Sequence, residues 1–206
     1  MRIIAGKFRR RKLLTNPGLV TRPITDRVKV ILFDRLQQEQ ELEGVRVADI
    51  FAGTGSMGLE ALSRGAASVV FIEQDHRAHS LLVENVKMLK AESQTLCWRN
   101  DALRASYHPK GRPDLIPFGL VFFDPPYRMA TEIHPGTPIY KALVRLAANH
   151  VTAAGACLVL RCAHEAEFEF PEQWQLEQKL VVNSMDLYFY RKLATADVDE
   201  PAADVG

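Results

Sequence analysis

The chain predicts a doubly wound α/β domain with a mostly parallel seven-stranded sheet. Three observations carry this. Short apolar runs alternate with helical patterns along most of the 206 residues, as the strand–helix units of a parallel sheet require. The first run of the main pattern leads into Gly53-Thr54-Gly55-Ser56-Met57-Gly58, a glycine-rich turn from strand to helix. The last two runs, 174–182 and 185–192, are joined by Asn183-Ser184, the spacing of a closing antiparallel hairpin.

The elements follow in order. Residues 2–14 alternate apolar and basic positions around Gly6, with Arg9-Arg10-Arg11-Lys12 at the centre, and read as a short basic hairpin. Asn16-Pro17-Gly18 is a turn, and Thr21 to Asp26 an extended segment running into a helix cap. Thr25 or Asp26 caps a helix whose apolar face is Val28, Ile31, Leu32 and Leu36. Strands are expected at 45–51, 68–72, 95–99, 119–123 and 156–160, with helices after Gly58, over 77–90 and over 139–149. The proline- and glycine-bearing stretches 107–117 and 135–138 read as loops. The expected organisation is a basic hairpin and helix extension at 1–40, a main domain at 41–193, and a disordered acidic tail at 194–206.

Composition narrows the function classes. With 47% hydrophobic and 25% charged residues the chain is ordinary for a soluble globular protein. No apolar stretch approaches the roughly 20 residues that span a bilayer, and the opening residues have no signal-peptide core. Cys97, Cys157 and Cys162 show no C-x-x-C spacing, so neither a zinc site nor a disulfide framework is indicated, and buried reduced thiols are expected. A cytoplasmic monomer without a metal is the default expectation. The net charge of +1 is unevenly distributed. Residues 1–35 hold ten cations against Asp26 and Asp34, a local +8 that leaves −7 for the remainder. That asymmetry points to a polyanionic partner for the amino-terminal portion.

The chemistry concentrates at the ends of the apolar runs. Gly53, Gly55 and Gly58 satisfy G-x-G-x-x-G, and Glu73 lies twenty positions beyond Gly53. Glycines let a nucleoside ligand approach the main chain, and the acid suits ribose hydroxyls. A nicotinamide enzyme and an S-adenosylmethionine (AdoMet) enzyme share that logic. Two acids favour the second. Asp49, near the glycine loop, would repel a pyrophosphate but suits a sulfonium or ammonium group. Asp101, with Ala102 after the third strand, is placed to reach an adenine edge. The fourth strand ends in Asp124-Pro125-Pro126-Tyr127, where neither proline can extend the ladder. A carboxylate beside an aromatic face suits a nucleobase bearing an exocyclic amine. Such an amine is a poor nucleophile, because its lone pair is delocalised into the ring. Hydrogen bonds to Asp124 and to a main-chain carbonyl of the Pro125-Pro126 turn would orient it and stabilise its developing positive charge, while Tyr127 stacks on the base.

These residues resemble a known family. Asp124-Pro125-Pro126-Tyr127 matches the D/N-P-P-Y/F motif of amino-methyltransferases acting on nucleobases. The segment from Asp49 to Ala66, the opening Arg2-Ile3-Ile4-Ala5-Gly6, the run Thr21 to Val28 and Leu32-Phe33 resemble the RsmD family of bacterial small-subunit (16S) ribosomal RNA guanine-N2 methyltransferases. The resemblance implies a Rossmann-like AdoMet-dependent methyltransferase fold. It also implies an S-adenosyl-L-methionine pocket at Asp49, Ala52, Gly53, Gly55, Glu73, Asp101 and Ala102, with Asp124, Pro125 and Tyr127 at the guanine. Lys7, Arg9, Arg10, Arg11, Lys12 and Arg22 would grip ribosomal RNA in the small subunit or its assembly intermediate, with Thr21 to Asp26 near the pocket mouth. Two departures fall on the substrate side. Arg161 follows the fifth strand where the family usually has an acid, and Val182-Asn183-Ser184-Met185-Asp186 replaces a Tyr-Gly-x-Thr run. The alternatives are an adenine-N6 methyltransferase on DNA or RNA, an NAD-dependent oxidoreductase, and a non-catalytic RNA-binding assembly factor.

Overall fold

A computed structural model describes residues 1–15, 24–39 and 42–194. Its elements are α1 (Asp26–Gln38), β1 (Arg46–Ile50), α2 (Ser56–Ser63), β2 (Ser68–Ile72), α3 (His76–Met88), β3 (Thr95–Trp98), β4 (Phe118–Phe123), α4 (Tyr127–Ala130), α5 (Pro138–Leu146), β5 (Thr152–Ala163), β6 (Trp174–Val182) and β7 (Met185–Lys192). One seven-stranded sheet runs in the order β3-β2-β1-β4-β5-β7-β6. β1 to β5 are parallel, and β7 pairs antiparallel with both β5 and β6. Strand order reverses between β1 and β4, so the ligand crevice of an open α/β sheet falls at their carboxyl ends.

Two apolar layers cover the sheet. On one face Val28, Leu32, Phe33, Leu59, Leu62, Leu82 and Val86 pack on Val47, Leu120, Phe122 and Phe189. On the other, Ile139, Leu143, Leu146 and Trp174 pack on Val121, Phe123, Leu158 and Tyr190. Strands buried on both faces read as continuous apolar runs, which is why β2 and β4 were legible. Thr25 is the cap of α1, accepting the Val28 amide at 3.4 Å. Cys157 and Cys162 are buried within β5 and Cys97 is half-buried, and none of the three is in a disulfide. Among the described residues, no helix is long and apolar enough to cross a membrane, and no His, Cys, Asp and Glu group of three or more could hold a metal ion.

Three elements differ from expectation. β5 begins at Thr152 rather than 156, because its pairing with β4 slips between Phe118 and Leu120 and absorbs the extra residues. The stretch after Asp124-Pro125-Pro126 contains one helical turn, α4, started where Pro126 accepts the Met129 amide at 2.7 Å. The amino-terminal ribbon is joined by a single antiparallel bridge, Arg2 with Lys12, and forms no regular strand. The amides of Ile3, Arg10 and Leu13 donate across the ribbon to Arg11, Ile3 and Met1 at 3.0 Å, while others are committed to α2. The amides of Ile4 and Ala5 donate to the Glu60 carboxylate at 2.7 and 3.0 Å, and that of Lys7 to the Ser63 carbonyl at 2.8 Å. Ile3 and Leu13 enter the same apolar layer as α1 and α2. The acidic tail expected from 194 onward lies outside the described residues after Ala194.

Glu60 is the fastening point of this face. Its side chain is fully buried on α2 and also meets Lys29 Nζ at 3.1 Å and Arg64 Nε at 3.0 Å. Lys29 is equally buried and donates to the Arg2 carbonyl at 2.8 Å. Burial pulls its ammonium below the usual lysine range, with Glu60 opposing that shift. Glu60→Ala would strand this cation, and an unpaired buried charge costs about 3–5 kcal/mol. The expected outcome is a free energy of unfolding, measured by denaturant titration, lowered by that amount, with Lys29→Met added to Glu60→Met recovering much of it.

Candidate methyl-transfer site

β1 ends at Ile50, and Phe51 turns the chain at φ +62 into the glycine loop. Gly53 sits at φ +56, and a Cβ built there would project into open space with nothing within 4 Å. Main chain is therefore bare to a ligand at this point. Gly58 serves a different purpose. A Cβ there would lie 2.4 Å from Phe71 and 2.7 Å from Val69, so its absence lets α2 lie against β2.

Glu73 closes the loop from the end of β2. Oε2 accepts the Gly53 amide at 2.8 Å and Oε1 accepts the Asp75 amide at 2.8 Å. Burial raises its pKa against the pull of these amides. Asp101, after β3, accepts the Leu103 amide at 2.9 Å and remains partly exposed, while Ala102 is buried beside it. Ala52 donates to the Ile72 carbonyl at 3.1 Å and accepts the Gly55 amide at 2.8 Å. Gly53, Glu73 and Asp101 thus stand along the carboxyl ends of three adjacent strands.

Asp49 is placed differently from the sulfonium contact imagined for it. Its side chain is 1% exposed, beneath the loop, and Oδ2 accepts the Gly58 amide at 2.8 Å. It ties β1 to the first turn of α2. Burial raises its pKa well above the carboxylate range, the Gly58 amide opposes this, and the charges of Asp124 and Glu73 add to it.

Asp124 leaves β4 with its amide on the Ile50 carbonyl at 3.2 Å, which sets it beside the end of β1. Arg161, from β5, grips both its oxygens: Nε to Oδ1 at 2.7 Å and Nη2 to Oδ2 at 2.7 Å. The Asp124 side chain is 19% exposed and that of Arg161 10%. The guanidinium carbon lies 5.9 Å from the Tyr127 ring centroid. Burial works against the Arg161 charge, but Asp124 outweighs it and the pKa rises. The second departure is adjacent. Asp186 pairs with Cys162 across β5 and β7. Its buried carboxylate meets His164 Nδ1 at 2.8 Å and Lys179 Nζ at 2.9 Å.

The basic ribbon occupies the other end of the sheet. Lys7 Nζ donates to Gln94 at 2.9 Å and Arg11 to the Met88 carbonyl at 2.9 Å, beyond the carboxyl end of α3 and ahead of β3. Lys7, Arg9, Arg10, Arg11 and Lys12 are all exposed. The ribbon returns toward the glycine loop at Leu14, whose amide donates to buried Asn85 at 2.7 Å. Asn85 in turn donates to the Thr54 carbonyl at 2.9 Å. Arg22 lies outside the described residues. Sequence reasoning did not single out Glu60, Asn85 or a partner for Arg161. The available signal was a polar residue on an apolar stripe, Asn85 beside Leu82, Val86 and Leu89.

Asp49 also yields a pH test. The folded state keeps its proton after the unfolded chain releases it near pH about 4, so this group makes stability fall as pH rises until it ionises in the folded state. Asp49→Asn keeps an acceptor for Gly58 and has no proton to release. Denaturant titrations across a pH series are expected to show a shallower fall above about pH 4 in the variant. A fall as steep as in the parent would count against this assignment.

Comparison with known proteins agrees with this architecture. The family described as "Conserved hypothetical protein 95" matches residues 1–191. "Ribosomal RNA small subunit methyltransferase D" of Escherichia coli K12 is 32% identical over 206 residues, covering 97% of this chain and 93% of that protein. The protein of the same name from Haemophilus influenzae is 32% identical over 198 residues, covering 93% of each. The solved structure of yhhF from Escherichia coli superposes with a TM-score of 0.76 at 32% identity, covering 95% of this chain and 99% of that one. A Salinibacter ruber RNA methyltransferase solved with S-adenosyl-L-homocysteine has a TM-score of 0.60 at 14% identity, covering 86% of this chain and 98% of that one, and shows the shared fold. A Rossmann-like sheet with its glycine loop and Asp124-Pro125-Pro126-Tyr127 at the switch point, matched over nearly the whole length, places this chain in the ribosomal RNA small subunit methyltransferase D family.

Proposed function

We propose that the chain transfers a methyl group from S-adenosylmethionine to the exocyclic N2 amine of a guanine in small-subunit ribosomal RNA. The observation that carries this is the placement of Asp124-Pro125-Pro126-Tyr127 across the switch point from the Gly53 and Glu73 loop. The names of the relatives support ribosomal RNA as the substrate.

The residues present fit the cofactor. Bare main chain at Gly53 leaves room for it, the Glu73 carboxylate stands beside that glycine as an acceptor for a ribose hydroxyl, and Asp101 lines the adenine side. When bound, the cofactor supplies a methyl group activated by a positive sulfur. Asp124 accepts a hydrogen of the target amine and stabilises the positive charge that grows on its nitrogen. The Pro126 carbonyl is taken by Met129, which leaves the Pro125 carbonyl as the second acceptor. Tyr127 stacks on the extruded base. Asp49 shapes the loop from beneath. The ribbon meets Ser63 at Lys7, about 12 Å from the loop along the eight residues of α2 at about 1.5 Å each. Its contacts are with phosphates flanking the target.

Tritiated methyl transfer onto unmodified small subunits, followed by nucleoside analysis, tests this reading. N2-methylguanine is the expected product, and methylated adenine or no transfer would overturn it. Asp124→Ala is expected to reduce turnover by at least about a hundredfold, the scale of a lost transition-state hydrogen bond, with AdoMet affinity retained in calorimetry. Replacing Arg9, Arg10 and Lys12 together by Ala should weaken RNA binding and lower the slope of log affinity against log salt by about 2–3. AdoMet binding should stay unchanged.

A further inference from the structure

We infer that Arg161 is a positioning residue for methyl transfer: it holds the Asp124 carboxylate in one orientation and so decides which oxygen lone pair meets the substrate amine. This rests on the reading of Asp124 given above and deepens it.

The two bonds of 2.7 Å come from different nitrogens of one planar fork to different oxygens of one carboxylate. Such a bidentate pair fixes the plane of the carboxylate, because rotation breaks both bonds at once. Each oxygen keeps a further lone pair. The amine therefore meets an acceptor whose direction is set before it arrives. The same guanidinium lies 5.9 Å from the Tyr127 ring centroid, so one side chain braces both groups assigned to the base. A merely architectural role is not needed at this point. Main-chain pairing already aligns β4 with β5 up to Phe123 and Leu160, and the Asp124 amide is anchored on Ile50.

The geometry has an unusual consequence for substitution. An amide at position 124 would set its NH2 group against one of the two guanidinium donors, since both oxygen positions face the fork. That clash turns the side chain, and its single oxygen stays with the guanidinium rather than with the substrate amine. Removing Arg161 frees the amide to present its oxygen instead. Arg161→Met should thus rescue Asp124→Asn, although each change alone is harmful.

The experiment measures kcat for methyl transfer to unmodified small subunits in the parent, Asp124→Asn, Arg161→Met and the double variant. Thermal unfolding and AdoMet affinity are measured on each. Arg161→Met is expected to lower kcat by about tenfold to a hundredfold, the scale of a misplaced catalytic group, with AdoMet affinity within about threefold. The double variant is expected to turn over faster than Asp124→Asn. Arg161→Lys, which keeps the charge but not the fork, serves as the milder probe should Arg161→Met fail to fold, and is expected to be slower than the parent. A double variant no faster than Asp124→Asn, or a single Arg161 variant with parental kcat, overturns the inference. Absence of methyl transfer by the parent, or full turnover by Asp124→Ala, would instead overturn the function itself.

Discussion

The buried carboxylate of Glu60 is the interaction on which one side of this molecule depends. It lies at the centre of α2 and collects four donors: two ribbon amides, the Lys29 ammonium and the Arg64 guanidinium. A carboxylate stripped of water is tolerated only when so completely satisfied. The result is that the amino-terminal ribbon, α1 and α2 are fastened to one another at a single side chain. Because α2 begins at the glycine loop, whatever holds the ribbon also holds the loop. Asn85 repeats the arrangement at the other end of the ribbon, joining Leu14 to Thr54.

The carboxyl edge of the sheet follows a related rule. Asp49, Glu73 and Asp124 converge where three strands end, and the charges of Asp124 and Glu73 add to the burial that raises the Asp49 pKa. Each acid is handled by a different means. Asp49 is buried on a helix amide, Glu73 is divided between two loop amides, and Asp124 is charge-compensated by Arg161. The Glu73 and Asp101 carboxylates stand at the β2 and β3 ends of this edge, and the Asp124 charge is compensated at the β4 and β5 end. Arg161 and Asp186, which belong to the two stretches expected to depart from the family pattern, both lie at the β4 and β5 end, and each has a partner there.

Much of this was legible along the chain. Strand and helix positions follow from short continuous apolar runs and from stripes of period 3.6. The glycine spacing and the two prolines mark the places where a strand must stop, because they depend on backbone conformation local to a few residues. The ribbon's cations were equally plain, but their position was not. Four basic residues in a row report charge and say nothing of which edge of the sheet they reach, since that depends on where the ribbon's amides find acceptors. One helical turn at α4 was hidden by the loop signals around it.

The sequence by itself determined the order of elements, the switch-point glycine loop and the rigid exit of β4, because each is written in the conformational preferences of neighbouring residues. Only the tertiary structure decided that Asp49 faces a helix amide rather than the cleft, that the basic ribbon docks at the far edge, and that Asp124 is held by a residue 37 positions away. Those outcomes depend on strand register and on which buried polar groups must be satisfied. Both are properties of the assembled sheet rather than of any local stretch of chain.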